Sequence, residues 1–72
     1  GLARDTDRQI IRGDPDSESF AVFHLQGEVI RCVEAVNAPP EFMGGRMMIG
    51  KQTPVDPAKL ADPAVGMKAV AA

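Results

Sequence analysis

Residues 19–36 read SFAVFHLQGEVIRCVEAV, and this stretch decides the fold. From Ser19 to Leu25 the side chains alternate, with Phe20, Val22 and His24 on one side and Ala21, Phe23 and Leu25 on the other. Both sets are largely apolar, so the strand is expected to be covered on both faces and to lie centrally in its sheet. Gln26-Gly27 follows at once, and a second apolar run extends from Val29 to Val36. Two residues including glycine between two strand patterns predict a tight antiparallel hairpin. With Gln26-Gly27 as the turn, Leu25 falls opposite Glu28, and His24 faces Val29 rather than Cys32.

Upstream of the hairpin, Arg8-Gln9-Ile10-Ile11-Arg12 is β-branched at its centre and stops at Gly13, which predicts a further strand. Gly13-Asp14-Pro15-Asp16-Ser17 is dense in turn formers and reads as a loop. The expectation is therefore a three-stranded antiparallel meander. Residues 1–7 are polar and without periodicity, and read as an extended lead-in.

Downstream, the period changes at Asn37, a residue suited to cap a helix N-terminus. Pro39 and Pro40 fall in the first turn, where a missing N–H costs little, and Glu41 sits near the positive end of the helix dipole. Phe42, Gly45 and Ile49, flanked by Met43 and Met47, form an apolar stripe at helical spacing, and Gly50 is placed to close the helix. Gly44 and Gly45 each cost about 1 kcal/mol against alanine inside a helix. That cost is tolerated either because something approaches closely there or because a short, weak helix is held by its packing. Asp56-Pro57 and Asp62-Pro63 are two further cap-plus-proline signals, opening helical turns at 57–61 and from Pro63 towards Val70. The fold class is α+β: the three-stranded sheet, one helix packed on it, and a tail of short turns.

Composition bounds the function. The chain has 72 residues, a net charge of −2, 44% hydrophobic residues and a single cysteine. The eight basic residues are interleaved with acids and form no stripe, which sets nucleic acid aside as a partner. No apolar run approaches the roughly 20 residues that cross a bilayer, and no signal peptide is expected. Cys32 has no cysteine within the chain to pair with, which suits a reducing, cytoplasmic compartment.

The residues offer no catalytic constellation. His24 and Cys32 are the only members of their types, too few to cage a metal. There is no G-x-G-x-x-G, no G-x-x-x-x-G-K-[ST] and no C-x-x-C. Gly44-Gly45-Arg46 invites a phosphate reading, but it falls inside a helix and not at a strand-to-helix turn, so free amides are not on offer. Arg46, Lys51 and Lys68 are the basic residues that a fold might gather, either as a solvated face or as a docking surface. Met43, Met47 and Met48 read as filler at helical spacing, with an adaptable docking surface as the alternative.

Three segments carry a resemblance. The first is Ile11-Arg12-Gly13-Asp14 followed by residues 20–27, FAVFHLQG. The second is residues 35–42, AVNAPPEF, and the third is residues 56–63, DPAKLADP. Together they resemble the C-terminal domain of FAD-dependent, NAD(P)H-linked ferredoxin and rubredoxin reductases, of glutathione-reductase-like type, across essentially residues 1–72. The resemblance implies a parent oxidoreductase in which two nucleotide-binding domains hold FAD and NAD(P)H. Electrons there pass through the flavin to a [2Fe–2S] ferredoxin or a rubredoxin. This domain would cover the flavin region and help to dock the acceptor. By the same resemblance the chain is a fragment, not itself catalytic, with no cofactor of its own and an exposed apolar face that allows self-association. An aromatic-rich segment that reaches the flavin in the family is expected to precede Gly1. The resemblance places two acceptor-docking positions on Arg46 and Lys68, and His24 departs from it, since an aromatic residue usually stands there. A related flavoprotein with another acceptor, of monodehydroascorbate reductase or apoptosis-inducing-factor type, or a free-standing interaction module, is the alternative.

Overall fold

Strand β1 (Arg8–Gly13), strand β2 (Phe20–Gln26) and strand β3 (Val29–Val36) form one antiparallel sheet in the order β1-β2-β3. Helix α1 (Pro39–Lys51), the short helix α2 (Pro57–Ala61) and a single 3-10 turn at Met67–Ala69 follow. The structure, a computed structural model, describes residues 6–72; the lead-in expected over residues 1–7 falls outside it at positions 1–5.

β2 is central, as its pattern predicts, but its two faces differ. Ala21, Phe23 and Leu25 are fully buried, and with Ile30, Val55, Leu60 and Val70 they make the core between the sheet and the helices. Phe20, Val22 and His24, on the other face, are only half buried. No element covers that face among the described residues, so apolar character on both sides of β2 does not mean burial on both sides.

The hairpin register corrects the sequence reading. The turn residues are Gly27 and Glu28, because Gln26 pairs with Val29 and Leu25 with Ile30. Gly27 has φ +61°, the placement a type II′ turn gives to glycine, and its N–H donates to the Asp7 carboxylate at 3.1 Å. A bulge between His24 and Leu25 then absorbs Arg31, so that His24 pairs with Cys32 and not with Val29. The physical reason lies in β3. Both parities of residues 29–36 contain apolar side chains, so alternation does not select a register. The bulge resolves the conflict by turning Ile30, Val33 and Ala35 all towards the core.

The helix boundaries also differ from expectation. Asn37 is not the cap of α1. It takes a left-handed conformation, φ 48°, and its side-chain amide donates to the Glu18 carbonyl at 2.9 Å, while its own carbonyl accepts from the Ser19 hydroxyl. Ala38 occupies the cap position without a side-chain bond. Gly50 does not end the helix either: Lys51 continues it, and Gln52 is the left-handed residue whose N–H returns to Ile49. Asp56 caps α2 as its signal predicts, accepting from the N–H of Ala58 and Lys59. Asp62-Pro63 opens only a turn; the one regular piece beyond it is the 3-10 turn.

Tail and sheet are stitched together by backbone bonds. The Val55 N–H donates to the Glu28 carbonyl at 2.8 Å, Asp56 N–H to Val70, and Ala72 N–H to Pro54. Val70 is thereby drawn into the core that begins at β2.

Candidate functional site

Arg12 explains how the helices are held against the sheet. Alternation on β1 sends Ile10 and Arg12 inwards, and Arg12 is 3% exposed. A guanidinium buried to that degree needs its donors filled. Its Nε donates to Glu41 at 3.1 Å, tying β1 to the first turn of α1. Its Nη1 reaches the carbonyls of Leu60 at 3.2 Å and Asp62 at 2.9 Å, with a longer bond to Lys59, and its Nη2 donates to the Val65 carbonyl. The Leu60 carbonyl is one that the end of a short helix leaves open, whereas those of Lys59 and Asp62 also accept from the backbone N–H of Asp62 and Val65. Among the described residues no buried side-chain nitrogen or oxygen lacks a partner. This cluster is an internal brace that ties β1 to α1 and to the segment around α2.

The glycine pair in α1 has a packing reason. A Cβ on Gly45 would lie 3.0 Å from Val33 Cβ and 3.1 Å from Phe23 Cε1, and one on Gly44 would lie 3.0 Å from Met67 Cβ. The close approach left open by the sequence is thus made by side chains of the sheet and of the 3-10 turn. The amides stay within the helical ladder, so the pair forms no anion cradle.

Close packing of one side of α1 leaves the other side outward. Of the expected stripe only Gly45 and Ile49 meet the core, joined there by Met48, whereas Phe42 stands exposed and Met43 and Met47 are 70% and 60% exposed. The helix is apolar around most of its circumference, so periodicity alone did not choose the buried side. Pro40, Met43, Met47 and Met48 face Met67 across an open groove of about 740 Å³, whose rim carries Lys51 and Lys68.

Of the two positions to which the resemblance assigned docking, Lys68 lies on this rim. Arg46 does not line the groove: its guanidinium sits 5.7 Å from the centre of the Phe42 ring, one helical turn away. Lys51, not Arg46, is therefore the basic residue that shares the groove with Lys68. Of the three basic residues that the sequence offered for gathering, the course of the tail brings Lys51 and Lys68 to one groove and leaves Arg46 outside it.

His24 and Cys32 lie opposite each other on the uncovered sheet face, and His24 Nε2 is 2.9 Å from Glu34 Oε2. No group of three or more His, Cys, Asp or Glu side chains suited to a metal occurs among the described residues. No helix among them is long and apolar enough to cross a membrane.

Comparison with known proteins agrees with this architecture. The family described as reductase C-terminal matches residues 1–71. Putidaredoxin reductase of Pseudomonas putida is 39% identical over 72 residues, covering 100% of this chain and 17% of that protein. A probable ferredoxin reductase of Castellaniella defragrans is 37% identical over 71 residues, covering 99% of this chain and 17% of its own length. The ferredoxin–NAD(+) reductase component of a p-cumate 2,3-dioxygenase system, also from Pseudomonas putida, is 36% identical over 63 residues, covering 85% of this chain and 15% of that protein. The chain thus spans less than a fifth of the length of these relatives.

Proposed function

The chain belongs to the reductase C-terminal family, and from that premise we propose that it is the acceptor-docking domain of an NAD(P)H-dependent flavoprotein reductase. The parent passes electrons from NAD(P)H through FAD to a small acidic iron–sulfur carrier, a [2Fe–2S] ferredoxin or a rubredoxin. The relatives named above are reductases of such carriers, which supports this class of parent.

The chain's own part in that activity is binding. The glycine pair supplies no pyrophosphate cradle, because Gly44 and Gly45 are packed against Met67, Val33 and Phe23 in mid-helix. FAD and NAD(P)H, which supply the hydride and electron chemistry, are held in this reading by other parts of the parent.

The observation that carries the reading is the helix-side surface. A methionine-lined groove rimmed by Lys51 and Lys68 lies on the same helix as the exposed Phe42–Arg46 pair. Methionine is unbranched and polarizable and repacks around different shapes. Exposed lysine and arginine attract an acidic carrier at a distance and act mainly on its association rate. A carrier that must bind, accept an electron and leave is suited by such a surface.

The test is made in the intact reductase. Arg46→Glu and Lys68→Glu together should raise the KM for the ferredoxin by about tenfold, equivalent to about 1.4 kcal/mol, and flatten its salt dependence. The rate of flavin reduction by NAD(P)H, measured by stopped flow without acceptor, should stay as it was. An unchanged KM would remove the docking role from these two residues.

A further inference from the structure

All four methionines of the chain, Met43, Met47, Met48 and Met67, line the groove on α1. They are not equivalent. Met43 and Met47 stand one turn apart on the helix and are 70% and 60% exposed. Met48 is partly buried against the core, and Met67 is only 8% exposed. Met67 is also closed in by the helix, so tightly that a Cβ on Gly44 would lie 3.0 Å from its Cβ and 3.3 Å from its Cε.

An exposed thioether is a two-electron reductant towards peroxide. A sulfur lone pair attacks one oxygen of hydrogen peroxide, the O–O bond breaks, an S–O bond forms, and the second oxygen leaves as water. The sulfur is oxidised to a sulfoxide and the peroxide is reduced, with no further reagent. The product is polar and chiral where methionine was apolar and flexible. At Met67 such a group would fall within the core. At Met43 and Met47 it falls on the open wall of the groove, while Gly45, Met48 and Ile49 still hold α1 to the sheet.

Resting on the proposed docking function, we propose that Met43 and Met47 form a peroxide-sensitive modification site, and that their conversion to sulfoxides turns down acceptor docking while the domain stays folded. Lys51 and Lys68, on the rim, are untouched by peroxide, so the long-range attraction of an acidic carrier remains. What is lost is the adaptable apolar fit at short range. Methionine sulfoxide is reduced back enzymatically, by one reductase for each epimer. The pair is therefore a switch and not only a site of damage.

The experiment uses the intact, flavin-loaded reductase. It is treated with hydrogen peroxide, the peroxide is destroyed with catalase, and the ferredoxin is added only afterwards. Peptide-resolved mass spectrometry follows each methionine. Met43 and Met47 should be converted at least about tenfold faster than Met67. The ferredoxin KM should rise about fivefold, because covering a sulfoxide without a partner is unfavourable, and should return to its starting value after treatment with both methionine sulfoxide reductases. A variant carrying Met43→Leu and Met47→Leu, whatever its own KM, should show no further rise on oxidation, although Cys32 and Met67 are still present. An equal rise in that variant overturns the proposal. Conversion of Met67 as fast as that of Met43 and Met47, or their full conversion with an unchanged KM, also overturns it. Should the variant lose its flavin, the sulfoxide reductases decide, since they leave oxidised Cys32 as it is: a rise that persists after them overturns the proposal. Failure of the docking reading shows separately, as an unchanged KM in the Arg46→Glu and Lys68→Glu variant. A KM that responds to those two substitutions but not to oxidation overturns the switch alone.

Discussion

The outer face of the sheet and the outer face of α1 are both apolar, yet they are built from different materials. On the sheet, Ile11, Val22 and Val36 are β-branched and stand at fixed positions on a backbone ladder. On the helix, Met43 and Met47 are long, unbranched and beside lysines. The first kind of surface loses little side-chain freedom when covered, and so favours a lasting contact. The second keeps rotamer freedom and adds charge, which favours a partner that comes and goes. Residue type, as well as apolar area, distinguishes the two surfaces: the sheet face is stiff and the helix face adaptable.

Both surfaces hang on one brace, so the largest way to break the comparison is to remove it. Arg12→Leu leaves Glu41 unpaired, removes the side-chain donor of the Leu60 and Val65 carbonyls, and leaves the Asp62 carbonyl with only the Val65 N–H. A loss of about 3 kcal/mol is expected, since breaking a buried ion pair from one side strands the other. Thermal unfolding of the intact reductase, with hydrogen exchange across β1 and α2 to locate the loss, measures it. A change below about 0.5 kcal/mol would mean that solvent reaches Arg12 and that the brace is dispensable.

A matched pair of substitutions sharpens the contrast between the faces. Ile11→Gln should cost the intact protein about 1.5 kcal/mol through lost apolar burial. Met47→Gln should alter stability by no more than about 0.5 kcal/mol but raise the ferredoxin KM. Equal stability losses at the two positions would erase the distinction drawn here.

The smallest effects concern the fit of α1 on the sheet. Gly45→Ala forces a Cβ to within 3.0 Å of Val33 Cβ, and overpacking of this kind should outweigh the helix propensity gained, leaving a net loss of about 1 kcal/mol. Gly50→Ala meets nothing within 4 Å and should stabilise by about 0.5 kcal/mol. Denaturant midpoints of the two variants, compared side by side, separate the packed side of the helix from the open one.

The element order and most of the elements' extent were legible in the chain alone. Turn formers at 13–17, glycine at 27 and prolines at 39, 40 and 57 act through their own backbone preferences, and those are local. The cap of α2 was legible for the same reason, since Asp56 bonds amides only two and three residues ahead. Where two local readings were equally good, packing of the core made the choice. Residues 29–36 have apolar side chains on both parities, and the bulge at Arg31 was chosen by what Ile30, Val33 and Ala35 meet across the core. Helix α1 is apolar nearly all round, and its buried side was chosen by the gap over Val33 and Phe23 that only Gly45 fits. Arg12 offered no sign in the sequence of its five acceptors, because they lie 29 to 53 residues away along the chain. Lys51 likewise met Lys68 only once the tail had folded back over α1. Local preference is written into neighbouring residues, whereas a docking surface is made by side chains that the chain brings together only when its core closes.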